Sequence, residues 1–109
     1  MSAPDHVLLC YCTCPNVASA THLAEALVNE SLAACVNRIP GIQSTYRWKG
    51  EVTTDTEELL LIKTTASRFE ALKERVLALH PYELPELIAV PVERGHAAYL
   101  EWVRAAGED

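Results

Sequence analysis

The pattern of apolar and polar residues in the first half of the chain predicts strands, a helix and a hairpin turn. An unbroken apolar run within residues 7–13 predicts a buried strand. Apolar residues at steps of three and four then predict a helix, and Asn16 is placed to cap its first turn. Residues 34–48 alternate as a strand does, and Lys49-Gly50 supplies a turn into a third strand that ends in EELLLIKT.

The second half of the chain predicts two further helices and a fourth strand. Ser67 and Glu70 form a capping-box pattern at the start of a helix. That helix must end near His80-Pro81, because proline disfavours helical backbone in the residue before it. The segment PELIAVPVE, residues 85–93, predicts the fourth strand, and a short last helix follows over about residues 96–106.

The complete order of elements is β-α-β, then β-α-β, then a short helix. This order predicts an α+β fold, a ferredoxin-like βαββαβ sandwich with an extra C-terminal helix, in which both main helices cover one face of an antiparallel sheet. We expect residues 1–109 to form this single domain. Pro40-Gly41 interrupts the second strand and predicts a sheet edge, a bend or a bulge there, because proline cannot donate a ladder hydrogen bond.

One of the predicted strands is apolar on both faces. Leu59, Leu60, Leu61 and Ile62 follow one another within EELLLIKT, whereas the helices can cover only one face of an open sheet. The second face is then buried either beneath a loop or against other copies of the chain. We expect copies of the chain to pack sheet against sheet.

The composition of the chain indicates which classes of partner and which location to expect. The chain has 109 residues and a formal net charge of −6, without the basic stripe that is typical of nucleic-acid-binding proteins. It shows no signal-peptide pattern, and it has no apolar run of the roughly 20 residues that a membrane span needs. We therefore expect no nucleic-acid or membrane partner and a cytoplasmic location, where the four cysteines stay reduced.

Three cysteines occupy alternate positions in the segment CYCTCPN. Residues two apart share one face of a strand at a separation of about 6.6 Å, whereas the sulfurs of a tetrahedral metal site lie about 3.8 Å apart. A regular strand therefore cannot direct Cys10, Cys12 and Cys14 at one ion without bending. We expect Cys10 to be a packing residue, and Cys14, which precedes Pro15, to be the most exposed of the three.

Four segments, in their order and spacing, resemble the CutA family of divalent-cation tolerance proteins. They are LAACVNRIPGIQSTYRWKG, LIKT, HPYELPEL and YLEW, and the resemblance extends over about residues 7–102. It implies a ferredoxin-like protomer that assembles as a homotrimer, in agreement with the strand that is apolar on both faces. It also implies a function in the response to divalent metal ions, copper among them.

The resemblance also implies candidate metal ligands. Cys12 and His80 match positions that are implicated in copper binding in relatives. In some relatives a second histidine precedes the one at His80, where this chain has Leu79, so we expect at most a weak copper site. Cys14 stands where the family often has a small residue. It either adds a soft thiolate ligand to the site or is a second buried thiol.

A further set of motif residues is expected to meet at a boundary between subunits. These residues are Tyr46, Trp48, Glu57, Lys63, Tyr82 and Trp102. They either line a cleft for a small ligand or ion, or simply pack the trimer. The trimeric P-II signal-transduction proteins bind effectors between subunits, which makes an effector-binding signalling trimer the alternative function. The chain carries no glycine-rich phosphate loop and no nucleophile elbow, so we expect no enzymatic activity.

Overall fold

A computed structural model describes residues 5–108, which form four strands and three helices. In chain order the elements are β1 (Val7–Cys14), α1 (Val17–Asn29), β2 (Cys35–Trp48), β3 (Glu51–Thr65), α2 (Phe69–Leu79), β4 (Ile88–Pro91) and α3 (Ala97–Arg104). A turn of 3-10 helix, Ala66–Arg68, precedes α2. The fourth strand is shorter than the predicted residues 85–93, because only Ile88–Pro91 pairs with the sheet.

The strands form one antiparallel sheet in the order β2-β3-β1-β4. Each β-α-β half therefore has a strand of the other half between its own two strands, which is the split β-α-β arrangement. The predicted α+β, ferredoxin-like fold with an extra C-terminal helix is confirmed. None of the helices within residues 5–108 combines the length and the apolar character that crossing a membrane requires.

Helices α1 and α2 cover one face of the sheet. The buried core on this face contains Leu23, Leu27, Leu72 and Val76 from the helices and Cys10, Cys12, Cys14, Leu60 and Ile62 from the strands. None of these side chains is more than 2% exposed. Full burial of an apolar side chain of this size contributes about 1.5–3 kcal/mol, so this layer stabilises the packing of the helices on the sheet.

The opposite face of the sheet is largely open within one chain. Leu59 and Leu61 lie on this face and are half-buried, whereas Leu60 between them is fully buried beneath the helices. The cross-strand partners on the open face include three exposed apolar side chains, those of Ile39, Ile88 and Val90. Of the two apolar faces of β3, the helices therefore cover one, and the other is left open within a single chain.

The two main helices begin differently. The Asn16 side chain caps α1 as predicted, since its Oδ1 accepts a hydrogen bond from the Ser19 amide over 2.8 Å. The prediction that Ser67 and Glu70 form a capping box is wrong, because Ser67 lies in the 3-10 turn before α2. The amide and hydroxyl of Ser67 instead donate to the carboxylate of Asp5, over 2.9 and 2.5 Å. A residue from before β1 thus anchors the turn that leads into α2.

Strands β2 and β3 extend beyond the rest of the sheet as a two-stranded arm. β1 pairs with β3 only as far as Cys14, opposite Glu58, so within the described chain residues 42–57 pair only with one another. The tip of the arm is the predicted two-residue turn, in which both Lys49 and Gly50 have positive φ angles, of 50° and 84°. Such turns match the twist of a hairpin. The arm gives the molecule a long axis of 50 Å.

A bulge separates the arm from the sheet at Pro40-Gly41, as predicted. The register between β2 and β3 shifts between Ile39 and Ile42. The buried carboxylate of Glu58 holds this irregular backbone, since it accepts hydrogen bonds from the Gly41 amide (3.1 Å) and from the Arg38 guanidinium (2.5 Å). The Glu58 carboxylate therefore stabilises the bulge at the point where the arm leaves the sheet.

Candidate metal site and the adjacent cleft

The end of β1 places two cysteines side by side beneath α2. Cys12 and Cys14 both lie on the helix-covered face, and neither is exposed to solvent (0%). The prediction that Cys14 is the most exposed thiol is therefore wrong, because the segment that follows α2 folds over the end of β1 and covers it. Cys10, on the same face, is packed in the core as predicted.

His80 follows α2 and directs its ring toward β1. Its backbone amide donates to the Val76 carbonyl over 2.8 Å and so caps the helix. The Tyr82 amide donates to Nδ1 over 3.1 Å, so the ring hydrogen is on Nε2, which donates to the Thr13 carbonyl over 2.7 Å. His80 is only 8% exposed. The ring is therefore enclosed between β1 and the loop after α2.

Cys12, Cys14 and His80 form a compact cluster of metal-binding atoms. The two sulfurs and a ring nitrogen all lie within 4.8 Å of one another, and the Cys14 Sγ is 3.8 Å from the His80 Nε2. The sulfurs are thus closer than the spacing of about 6.6 Å between alternate positions of a regular strand. Cys10 is not a member of the cluster. The strand directs two of its three thiols toward one point, and a distant histidine supplies the third donor.

The two thiols of the cluster influence each other's ionisation. The interaction with Cys14, followed by burial, raises the pKa of Cys12, whereas the same interaction lowers the pKa of Cys14. The two thiols therefore lose their protons as a coupled pair, the first proton more readily than the second. Burial raises the pKa of Cys10 to about 11, so that thiol is neutral at physiological pH.

The donors of the cluster fit a soft metal ion. Thiolate favours Cu(I) and zinc, and imidazole suits both copper and zinc. Two metal–sulfur bonds of roughly 2.3 Å each span at most about 4.6 Å. The two sulfurs lie within 4.8 Å of each other, close to that span, so one ion can contact both with at most a small movement of the side chains. Within residues 5–108 the cluster offers three donors, fewer than the four of a closed structural zinc site.

A cleft lies beside the cluster. Its volume is ≈ 730 Å³, and four of the predicted subunit-boundary residues line it, namely Tyr46, Trp48, Glu57 and Tyr82. The Tyr82 hydroxyl donates to Glu57 over 2.5 Å, and burial together with this hydrogen bond raises the pKa of Tyr82. Thr13 belongs to both places, since it lines the cleft while its carbonyl holds the His80 ring.

The predictions from the sequence omitted two carboxylates of this cleft. Glu83 and Glu86 line it together with Glu57, and the lining residues include no lysine, arginine or histidine. Burial, followed by the charge of Glu57, raises the pKa of Glu86. The field in the cleft therefore favours cations over anions. The signal for these residues was the pair of glutamates in HPYELPEL, the motif that carries His80 and Tyr82.

The remaining two predicted boundary residues lie elsewhere in the chain. Lys63 lies in β3, where its ammonium group contacts Asn37 and approaches the Cys35 Sγ to 3.7 Å. Trp102 lies in α3 and stacks on Tyr99, with ring centroids 5.6 Å apart. Within one described chain, four of the six residues share a cleft and these two do not.

Comparison with known proteins gives one result over nearly the whole chain. The family model described as CutA1 divalent ion tolerance protein matches residues 8–106. The divalent-cation tolerance protein CutA of Thermus thermophilus is 55% identical over 92 residues, which are 84% of this chain and 89% of that protein. The human protein CutA is 49% identical over 105 residues, which are 96% of this chain but only 59% of that protein.

Solved structures agree with this result. The divalent cation tolerance protein Cut A1 from Thermus thermophilus superposes with a TM-score of 0.90 at 50% identity, covering 94% of this chain and 99% of that chain. CutA1 from Oryza sativa superposes with a TM-score of 0.91 at 46% identity, covering 96% of each chain. The chain therefore belongs to the CutA1 divalent ion tolerance family.

Proposed function

We propose that this chain, as one domain over residues 1–109, is a homotrimeric divalent-cation tolerance protein that binds copper and acts in the cytoplasm in the response to metal ions. The observation that carries the proposal is the cluster of Cys12, Cys14 and His80, which offers buried soft donors in a member of a divalent ion tolerance family. Cys12 and His80 are the ligands that the family resemblance suggests. Catalysis is no part of the proposal, and the Thermus thermophilus relative is named for divalent-cation tolerance.

Two features support assembly as a trimer. The first is the open sheet face around Leu59 and Leu61, whose apolar side chains would be buried by contact with another copy. The second is the separation of Lys63 and Trp102 from the cleft of their own chain. A neighbouring chain that brought its Lys63 and Trp102 to the cleft would complete the six-residue set that the family motifs contain.

Two measurements on the purified, reduced protein test this proposal under anaerobic conditions. Sedimentation equilibrium is expected to give a species of three chains, and dialysis against Cu(I) is expected to leave copper bound. Cys12→Ala should lose the metal, whereas Cys10→Ala should keep it, because Cys10 is equally buried on the same strand face but lies outside the cluster. A monomer, or equal retention by Cys12→Ala and the parent, contradicts the proposal.

The cleft favours a second candidate function, that of an effector-binding signalling trimer like the P-II proteins. Its volume of ≈ 730 Å³ is in the range of small-molecule sites. The carboxylates of Glu57, Glu83 and Glu86 disfavour nucleotide phosphates and favour a cationic effector. Calorimetric titration with putrescine, and with ATP as the anionic control, decides: heat of binding for putrescine but not for ATP supports this candidate, and no heat with putrescine removes it.

A further inference from the structure

We propose that Cys12 and Cys14 together form a two-thiolate site for a soft monovalent cation, with Cu(I) as the biological ion, and that His80 positions this pair without binding the metal. The inference rests on the proposed metal-binding function and assigns the ligands within the same cluster. It replaces the pair of Cys12 and His80 with a pair of thiols two residues apart. Cys14 is not one of the two ligands that the family resemblance suggests.

The separation of the sulfurs supports the thiol pair. Cys12 and Cys14 occupy alternate positions on one face of β1, and their Sγ atoms lie at most 4.8 Å apart. Two metal–sulfur bonds of roughly 2.3 Å in a straight line span about 4.6 Å. Cu(I) prefers soft thiolate ligands and, as a closed-shell ion, is satisfied by two of them. The strand therefore brings both sulfurs close enough for one ion to contact them with at most a small movement of the side chains.

The hydrogen bonds of His80 argue against its ring as a ligand. The Tyr82 amide occupies the lone pair of Nδ1 (3.1 Å), and the hydrogen on Nε2 is directed at the Thr13 carbonyl (2.7 Å). A metal bond to Nε2 requires that its hydrogen move or leave, which breaks the bond to Thr13. Cys14 loses only a long contact of 3.8 Å with the same ring when it binds a metal. Binding of the metal by Cys14 therefore breaks fewer hydrogen bonds than binding by the His80 ring.

The number of donors in the cluster favours a soft monovalent ion over zinc. With His80 held by two hydrogen bonds, the cluster within residues 5–108 provides two sulfurs, whereas a closed zinc site takes four ligands. Cys12 and Cys14 have no solvent exposure, so additional water ligands have little room. Binding forms two Cu–S bonds and releases two thiol protons to solvent, and no electrons are transferred.

The cleft supplies an approach to this site for a cation. Thr13, between the two cysteines, and Tyr82, which holds the His80 ring, both line the cleft. Its three glutamates create a negative potential, which raises the local concentration of cations near the cluster. The acidic cleft and the buried thiols are thus consecutive parts of one route from solvent to the site.

Competition with a chromophoric Cu(I) chelator under anaerobic, reducing conditions tests the ligand assignment on the full chain. We expect Cys12→Ala and Cys14→Ala each to lower the Cu(I) affinity by about 100-fold or more, whereas His80→Gln lowers it by about 10-fold, as for a residue that orients a ligand. Gln is chosen because its amide can still donate to the Thr13 carbonyl. Cys10→Ala is the matched control and should leave the affinity unchanged.

Copper X-ray absorption on the loaded parent protein gives an independent answer that needs no variant. We expect two sulfur neighbours and no imidazole nitrogen. An imidazole in the spectrum, or parental Cu(I) affinity in Cys14→Ala, overturns the inference and leaves the proposed metal-binding function standing. If the parent protein binds neither Cu(I) nor a divalent ion, the proposed function itself fails.

Discussion

The carbonyl of Thr13 lies beyond the point at which β4 pairs with β1. β4 partners β1 only over Leu8–Tyr11, so the ladder on that side ends two residues before Thr13. The His80 ring donates to this carbonyl over 2.7 Å and thereby takes the place of a strand partner. The same ring lies 3.8 Å from the Cys14 sulfur. One side chain thus completes the edge of the sheet and encloses the thiols.

Replacement of His80 should therefore affect stability even without metal. We expect His80→Ala to lower the free energy of unfolding by about 1–3 kcal/mol, because a buried carbonyl loses its donor. His80→Gln, which retains a donor, should lose less. Urea unfolding of the metal-free proteins measures both, and equal losses in the two variants would show that the hydrogen bond to Thr13 contributes little.

The neighbourhood of Cys14 shows why the site was only partly predictable. That Cys12 and Cys14 share a strand face follows from local alternation and could be predicted. The burial of Cys14 and the enclosure of His80 could not, because they depend on one contact between residues 66 positions apart. No local pattern encodes how a loop returns over the end of a strand.

At the scale of elements, α2 depends on a residue from before β1. The carboxylate of Asp5 accepts hydrogen bonds from both the amide and the hydroxyl of Ser67, at the turn before the helix. The capping box of Ser67 and Glu70 failed for this reason, since a partner 62 residues away outcompeted the local one. The order of the elements, in contrast, was predictable, because it follows from apolar periodicity in each segment.

This anchor should make stability depend on pH. The hydrogen bonds from Ser67 hold the pKa of Asp5 below its ordinary value of 3.8. A lowered carboxyl pKa contributes stability above pH 3.8, and this contribution is lost as the pH falls through the lowered pKa. Asp5 is half-buried and solvent still screens part of its charge, so we expect Asp5→Asn to cost only about 0.5–1 kcal/mol at pH 7.

Chemical unfolding of the parent and of Asp5→Asn between pH 2 and pH 7 measures this difference. The gap between the two unfolding curves should narrow from pH 3.8 toward pH 2, as the pH falls through the lowered pKa of Asp5 and its carboxyl loses its charge. Glu25→Gln is the control, because Glu25 is exposed on α1 and has no ion pair within residues 5–108. A constant gap between parent and Asp5→Asn at all pH values would mean that charge is not the source of the effect.

At the scale of the whole molecule, the open sheet face is the feature that one chain leaves incomplete. The apolar run in β3 predicted that both faces need burial, but it could not assign Leu60 and Leu61 to their faces. The register with β1 makes that assignment, since Leu60 opposes the buried Cys12 and Leu61 opposes Tyr11 on the open side. If the chains assemble through this face, we therefore expect Leu61, and not Leu60, to lie in the interface.

A charge at Leu61 should consequently disrupt assembly. We expect Leu61→Lys to shift the sedimentation profile toward single chains, because burial of an unpaired charge in an interface costs several kcal/mol. Leu77→Lys is the matched control, since Leu77 lies on α2 with 54% of its surface exposed, in the helical layer. Unchanged assembly in Leu61→Lys, or equal disruption in both variants, would place the interface elsewhere.

The central claim is that each chain builds its own soft-metal site and that three chains assemble. Native mass spectrometry of the reduced protein, loaded anaerobically with Cu(I), measures both quantities in one spectrum. Each chain has a mass of 12.0 kDa. We expect a complex of three chains that carries three copper ions, reduced to none in the Cys12→Ala variant. A single chain, or a trimer that binds no copper, would contradict the account.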